Sequence, residues 1–345
     1  MKTTDFDFQL VPAPLLAWYN ANKRDLEWRV NPTSYRVWVS EIMLQQTRVE
    51  AVKEYYARFM RELPTLQALA TCEEEKLLKL WEGLGYYSRV RNMQKAAKEI
   101  VERFGGEFPS DEKSLKSLPG IGAYTVGAIR SIAFGLRAPA VDGNVFRVAS
   151  RLSENPTVIS DPAYRKYLEE KLLAVYPEEG EDCSAFTQSL MELGALICKP
   201  QTPDCRVCPL NGICRANAHG TQNDYPVLPE KKAKKAEKRF VFLIRTKEGI
   251  SLRKRKEGVL KGMTEFPSES AIDRTPEELL NEWGVGAFKV VKRKTYAHIF
   301  THIRWEMDCI LVDADHSPFE SRTLEEIRTQ VSIPTAFKQC LSLLE

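Results

Sequence analysis

The stretch CKPQTPDCRVCPLNGIC places Cys198, Cys205, Cys208 and Cys214 in one short loop, spaced C-x6-C-x2-C-x5-C. In a cytosolic chain, where thiols stay reduced, four so close are not expected to form disulfides; their chemistry is that of metal ligands. Zinc and a [4Fe-4S] cluster both accept four thiolates. A zinc ribbon presents two C-x2-C pairs on separate knuckles, whereas one C-x2-C with longer arms favours the cluster. Cys72, Cys183, Cys309 and Cys340 are scattered and read as buried free thiols.

Two carboxylates are marked by their surroundings. Glu41 lies in YRVWVSEIMLQQTRVE, with Val37, Trp38, Met43 and Leu44 around it. It either meets water at a helix edge, the commoner case, or is partly buried with the raised pKa that a general acid at neutral pH requires. Asp142 precedes the helical pattern of Val145, Val148 and Leu152 in APAVDGNVFRVASRL. As an N-cap it is expected to stay ionised through the helix dipole and backbone N–H groups, ready to stabilise a cation. Between them, LKSLPGIGAYTVGAI sets Gly120 and Gly122 between two helices. Both glycines permit positive φ, and a helix-hairpin-helix of this kind would offer backbone N–H groups to a DNA phosphate. A bare G-x-G is more often only a tight turn.

The elements that must position these groups read as two kinds. From about Phe8 to Arg215 apolar residues recur at helical spacing, as in Leu66-Leu69-Ala70, Leu77-Leu80-Trp81 and Met93-Ala97-Ile100-Val101. The segment RANAHGTQNDYPVLPEKKAKKAEKR is polar and increasingly basic, a solvated linker. Beyond it the period changes to two. RFVFLIRT and ISLRKRK flank a KEG turn as a hairpin, and HIRWEMDCILV alternates Ile303, Trp305, Met307, Cys309 and Leu311 as a half-buried strand. The expected fold is therefore multidomain: an all-α domain over 1–216, a basic linker over 217–238 and a smaller α+β domain over 239–345.

The 345 residues are 43% hydrophobic and 28% charged, with a formal net charge of +3. This composition excludes collagen-like and largely disordered chains, but a charge near neutrality decides nothing about nucleic acid. No apolar run approaches a membrane span, and MKTTDFDFQLVPAP lacks the basic and apolar parts of a secretory signal. A cytoplasmic protein without a membrane partner is expected.

With hairpin, later aspartate and four-cysteine loop in this order, most of residues 8–215 resembles the helix-hairpin-helix DNA glycosylase superfamily that includes endonuclease III. Within it, WVSEIMLQQTRV, WEGLGYYSRVRN, VDGNVFRV and GAYTVGA are similar to the MutY-type adenine DNA glycosylases, which remove adenine mispaired with 8-oxoguanine. The resemblance implies a [4Fe-4S] cluster on the four cysteines, base flipping from duplex DNA, and a bacterial, DNA-associated protein; a two-domain monomer is the simplest expectation. It assigns Glu41 to protonation of adenine N7 and then to activation of water, and Asp142 to stabilisation of the oxocarbenium-like sugar. Tyr124 stands where the endonuclease III branch carries a lysine that forms a Schiff base. A phenol cannot form an imine, so hydrolysis without strand cleavage is implied. Tyr124 and Asn144 would support the two acids.

The same resemblance places Trp28, Arg29 and Gln188 at the adenine pocket, and Leu44, Gln46, Thr47 and Tyr86 at the wedge beside 8-oxoguanine. Each has a plainer reading: Trp28 and Tyr86 as core aromatics, Gln46 and Thr47 as surface polar residues, Arg29 as a salt-bridge partner. The family's usual LPWR is LEWR here, with Glu27 for proline. The C-terminal part resembles a Nudix-like recognition module, with Phe300, Thr301 and His302 in AHIFTHIRW where Phe-Ser-His is common. His298 and His302 would otherwise read as polar residues on a strand. TPEELLNEWG lacks the glutamate box of a Nudix hydrolase, so the module should recognise nucleotides and not hydrolyse them. Two rivals are a thymine or uracil mismatch glycosylase and a non-catalytic DNA-binding module.

Overall fold

The helical period expected up to Arg215 is realised, and the residues that start and stop each helix are those the capping rules select. The structure is a computed structural model that describes residues 5–230 and 233–345. Met1–Thr4 and the linker lysines Lys231 and Lys232 lie outside the described residues. The chain divides into two compact units: Met1–Thr71 with Arg91–Glu230, and Cys72–Val90 with Lys231–Glu345.

The first unit includes the helices α1 (Pro12–Asn22), α2 (Ser34–Leu44), α3 (Val49–Glu62), α4 (Glu112–Lys116), α5 (Ala123–Ala128), α6 (Gly143–Ser153), α7 (Pro162–Val175) and α8 (Glu181–Leu196). Thr33 caps α2 by accepting the Arg36 N–H, Asp111 caps α4 and Asp161 caps α7, which also has proline in its first turn. The core packs α6, α7 and α8 through Phe146, Val148, Leu168, Leu172, Phe186 and Leu190. Burial of such side chains contributes about 1.5–3 kcal/mol each.

Two local expectations need correction. Gly120 does take positive φ, at 75°, but Gly122 is extended at φ −93° and simply precedes α5. The segment read as a solvated linker is anchored along its first half: Arg151 Nε donates to the carbonyls of Gln222 (2.7 Å) and Tyr225 (3.0 Å), and the Ile159 N–H donates to Val227 O. Its last residues are not linker either, because β1 already begins at Lys235.

The second unit is built on β1 (Lys235–Thr246), β2 (Gly249–Lys254), β3 (Thr264–Glu265), β4 (Ser268–Ser270), β5 (Phe288–Ile299), β6 (Ile303–Ala314) and β7 (Glu320–Arg322), with α9 (Pro276–Glu282), α10 (Leu324–Thr329) and α11 (Thr335–Lys338). The sheet order is β3-β2-β1-β6-β5, with β4 pairing β1 and β7 pairing β2. The β1–β2 hairpin forms as expected, with Thr246 opposite Gly249. β1 and β6 run parallel from Lys235 opposite Ile303 to Arg245 opposite Asp313.

The half-buried reading of β6 holds only for its first half. Trp305, Met307, Cys309 and Leu311 face one core, while Ile310 and Val312 face a second core on the other side of the sheet. A strand covered on both faces loses its alternation. Cys309 and Cys340 are not the free thiols expected: the structure joins them as a disulfide from β6 to the C-terminal segment. Among the described residues no helix is long and apolar enough to cross a membrane.

Candidate active site

Glu41 sits in the last turns of α2, where consecutive residues from Tyr35 to Met43 are covered except Arg36, so the glutamate has no solvent edge to turn toward. It is 6% exposed. Tyr124, in the first turn of α5, donates its hydroxyl hydrogen to Glu41 Oε2. One turn on, Gly127 lets α5 lie against the incoming backbone, since a Cβ there would fall 2.1 Å from the Pro139 carbonyl oxygen. That approach fixes the run leading to Asp142. Asp142 caps α6: its Oδ1 accepts the Val145 N–H at 2.8 Å and its Oδ2 accepts Asn144 Nδ2 at 2.8 Å.

The two acids differ in electrostatics. Burial pushes Glu41 up to about 7; the Tyr124 hydrogen bond and Arg29 oppose this, and the neighbouring Asp142 charge adds to it. Tyr124 is held well above its ordinary value, by burial first and then by the two carboxylates, and remains a protonated donor. Asp142 is also raised by burial, against the bonds from Val145 and Asn144 and the charge of Arg147. The helix start thus holds its negative charge less firmly than expected, because burial outweighs the cap.

Several residues at the site were not singled out from the sequence. Arg147, on α6, donates from Nη2 to Asn144 Oδ1 (2.7 Å) and Gly194 O (2.8 Å), and from Nε to Cys198 O (2.7 Å). One turn later Arg151 is 2% exposed and donates to the carbonyls of Lys199 (2.7 Å) and Pro200 (2.6 Å) and to Cys198 Sγ (3.3 Å). Two arginines four apart on one helix, Arg147 and Arg151, were the available clue. Glu192, 1% exposed on α8, accepts bidentate bonds from both Arg24 and Arg29, and these hold its carboxyl down at about 2 despite burial. Arg29 is therefore a salt-bridge partner, with its charge also felt at Glu41.

The other residues singled out in the first unit lie on nearby elements. Trp28 is buried edge-on to Tyr56 at 5.3 Å. Its neighbour Glu27 opens a short 3-10 turn, Glu27–Arg29, and reaches Arg36 at 3.7 Å. Gln188 is half-buried on α8 and donates to Ser184 Oγ. Leu44 ends α2, Gln46 follows at φ 58°, and the Thr47 N–H closes the turn onto Leu44 O. In the second unit Tyr86, at φ 46°, hydrogen-bonds to Thr301 Oγ1 at 2.7 Å. Phe300 packs edge-on to His298 and Trp305, while His302 is exposed.

The four cysteines are free thiols; burial first and then the neighbouring thiols raise Cys205 and Cys214, and push Cys208 to about 12. Backbone N–H groups of Leu210 and Asn217 point at Cys208 and Cys214. Four sulfurs with N–H donors around them suit an iron–sulfur cluster, whose charge would relieve the repulsion. Among the described residues no group of three or more His, Cys, Asp or Glu is gathered for a single metal ion.

Residues 39–173 match the HhH-GPD superfamily base excision DNA repair protein family, and residues 240–343 match the NUDIX domain family. An adenine DNA glycosylase of Buchnera aphidicola subsp. Schizaphis graminum is 33% identical over 305 residues, covering 87% of this chain and 86% of that one. The adenine DNA glycosylase of Rattus norvegicus is 44% identical over 227 residues, or 62% of this chain and 43% of the relative. The chain spans 38–56% of the length of its mammalian and plant relatives. A thermostable thymine-DNA glycosylase superposes with a TM-score of 0.55 at 27% identity, over 61% of this chain and 96% of that one.

Proposed function

This chain belongs to the adenine DNA glycosylase family, and from that premise we propose that it excises adenine mispaired with 8-oxoguanine or guanine by hydrolysis, without cutting the strand. The observation that carries the reading is the unlike pair of acids: Glu41 buried at a pKa of about 7 beneath the Tyr124 hydroxyl, and Asp142 on its helix cap. A glycosidic bond flanked by two such carboxyls needs one protonated and one charged.

Near neutral pH a substantial fraction of Glu41 carries the proton for adenine N7 of a flipped nucleotide. As the base leaves, Asp142 balances the positive charge that develops on the sugar. The resulting Glu41 carboxylate then takes a proton from the attacking water. Asn144 aims Asp142, and Tyr124 keeps Glu41 in place while offering no amine for an imine. Duplex DNA would be held with Gly120 and its turn near a phosphate, and Trp28, Arg29 and Gln188 around the base. Leu44, Gln46, Thr47 and Tyr86 would stand beside the opposite base, which Phe300, Thr301 and His302 of the Nudix-like unit would read. Cys198, Cys205, Cys208 and Cys214 would hold a [4Fe-4S] cluster, which would tie the loop together through four iron–thiolate bonds.

The test is base release from duplexes carrying adenine opposite 8-oxoguanine, adenine opposite guanine, and thymine opposite guanine. Adenine release alone is expected; thymine release would move the chain to the activity named for its structural neighbour.

A further inference from the structure

Residues 72–90 lie between the two halves of the glycosylase unit in sequence, yet they pack as part of the C-terminal unit. This stretch carries Tyr86 on a turn with three left-handed residues, Gly83 (φ 105°), Gly85 (φ 70°) and Tyr86 (φ 46°). A non-glycine residue keeps such a conformation only where its surroundings impose it. Here Trp81 Nε1 donates to Gly85 O at 3.1 Å, and Arg89 Nη2 donates to Leu84 O (2.9 Å) and Gly85 O (3.2 Å). The Arg89 guanidinium lies 5.3 Å from the Trp81 ring centre and 5.6 Å from that of Tyr86.

The base of this turn is fastened by polar groups to α10, α11 and the connection between them. Lys79 Nζ donates to the carbonyls of Arg328 (3.0 Å) and Val331 (2.9 Å). The Glu82 side chain, 11% exposed, accepts the Ile333 N–H at 3.1 Å and pairs with Lys338 at 3.3 Å and Lys79 at 2.8 Å. Main-chain groups bonded by charged side chains fix both distance and direction, which apolar packing alone would leave freer to slide.

We propose that Lys79 and Glu82 are positioning residues for reading the base opposite adenine: their clamp on the α10–α11 connection holds the Trp81–Arg89 turn so that Tyr86 and Thr301 act as one hydrogen-bonded pair. The proposal rests on the function stated above. Neither residue touches the reacting atoms, so loosening the clamp weakens the preference for 8-oxoguanine and spares the chemistry.

The experiment measures single-turnover adenine release opposite 8-oxoguanine and opposite guanine, using full-length wild type, Lys79→Met, Glu82→Gln, Lys79→Arg and Lys254→Met. The exposed Lys254 side chain makes a 3.7 Å surface pair with Glu75 and serves as the control. Lys79→Met and Glu82→Gln are expected to lower the 8-oxoguanine preference about tenfold, the worth of one charged hydrogen bond. Lys79→Arg restores most of it, and Lys254→Met changes nothing. Full preference in both clamp variants, or an equal loss on both substrates without rescue by arginine, overturns the proposal while leaving the function intact. A wild type that releases no adenine from either duplex overturns the function and the proposal together.

Discussion

Replacing Glu41 with Gln should stabilise the protein in alkali while removing its activity. The fold favours the protonated carboxyl, because burial raises Glu41 from 4.5 to about 7. Its contribution is fully present below the unfolded value of 4.5 and is lost as pH rises through about 7. The gap amounts to roughly 3 kcal/mol of cost once the group is ionised. Glutamine keeps an acceptor for Tyr124, carries no charge to repel Asp142 and does not titrate. Glu41→Gln and wild type should therefore unfold alike near pH 4.5, and above pH 8 the variant should be more stable by roughly 6–12 °C in Tm, taking about 2–4 °C per kcal/mol. Thermal unfolding followed by far-UV circular dichroism across this range gives the comparison. A Tm difference that does not change with pH, or a wild type more stable than the variant in alkali, would refute a buried, neutral Glu41.

Three further substitutions follow from the same geometry. Asp142→Asn keeps a side chain that caps α6, so duplex binding and Tm should hold while single-turnover base release falls roughly 10²–10³-fold. Arg147→Met strips donors from Asn144, Gly194 and Cys198 at once, and should cost roughly 3 kcal/mol in denaturant unfolding and slow base release as Asn144 loses its hold on Asp142. Glu192→Gln leaves Arg24 and Arg29 without their common anion; with those side chains 27% and 15% exposed, solvent trims the loss to about 2 kcal/mol. In the wild type this contribution is present above pH 4.5 and fades as pH falls through about 2, so acid titration of the two proteins should converge.

The helical domain and the strand-rich domain were legible because a period of 3.6 and a period of 2 survive wherever one face of an element meets water. They fail where that condition fails. The second half of β6 has cores on both sides, so Ile310 and Val312 break the alternation that Trp305 and Met307 keep. Glu41 illustrates the same limit on a helix: α2 is covered nearly all round, and the residue types beside a glutamate do not report whether a solvent edge exists. Long-range partners were not readable. Nothing local to Arg24 or Arg29 points to Glu192, more than 160 residues on, and the sequence separation of 31 between Cys309 and Cys340 hides the return of the C-terminal segment to β6. The allegiance of residues 72–90 to the C-terminal unit was equally hidden, since their helical pattern matches that of the flanking glycosylase unit.

The most direct test of the central claim is single-turnover reaction of the wild type with a duplex bearing adenine opposite 8-oxoguanine, sampled with and without alkali. Free adenine together with a strand that breaks only after alkali treatment is predicted. A strand already cut without alkali, or no adenine released at all, would contradict hydrolysis by the Glu41, Tyr124 and Asp142 site.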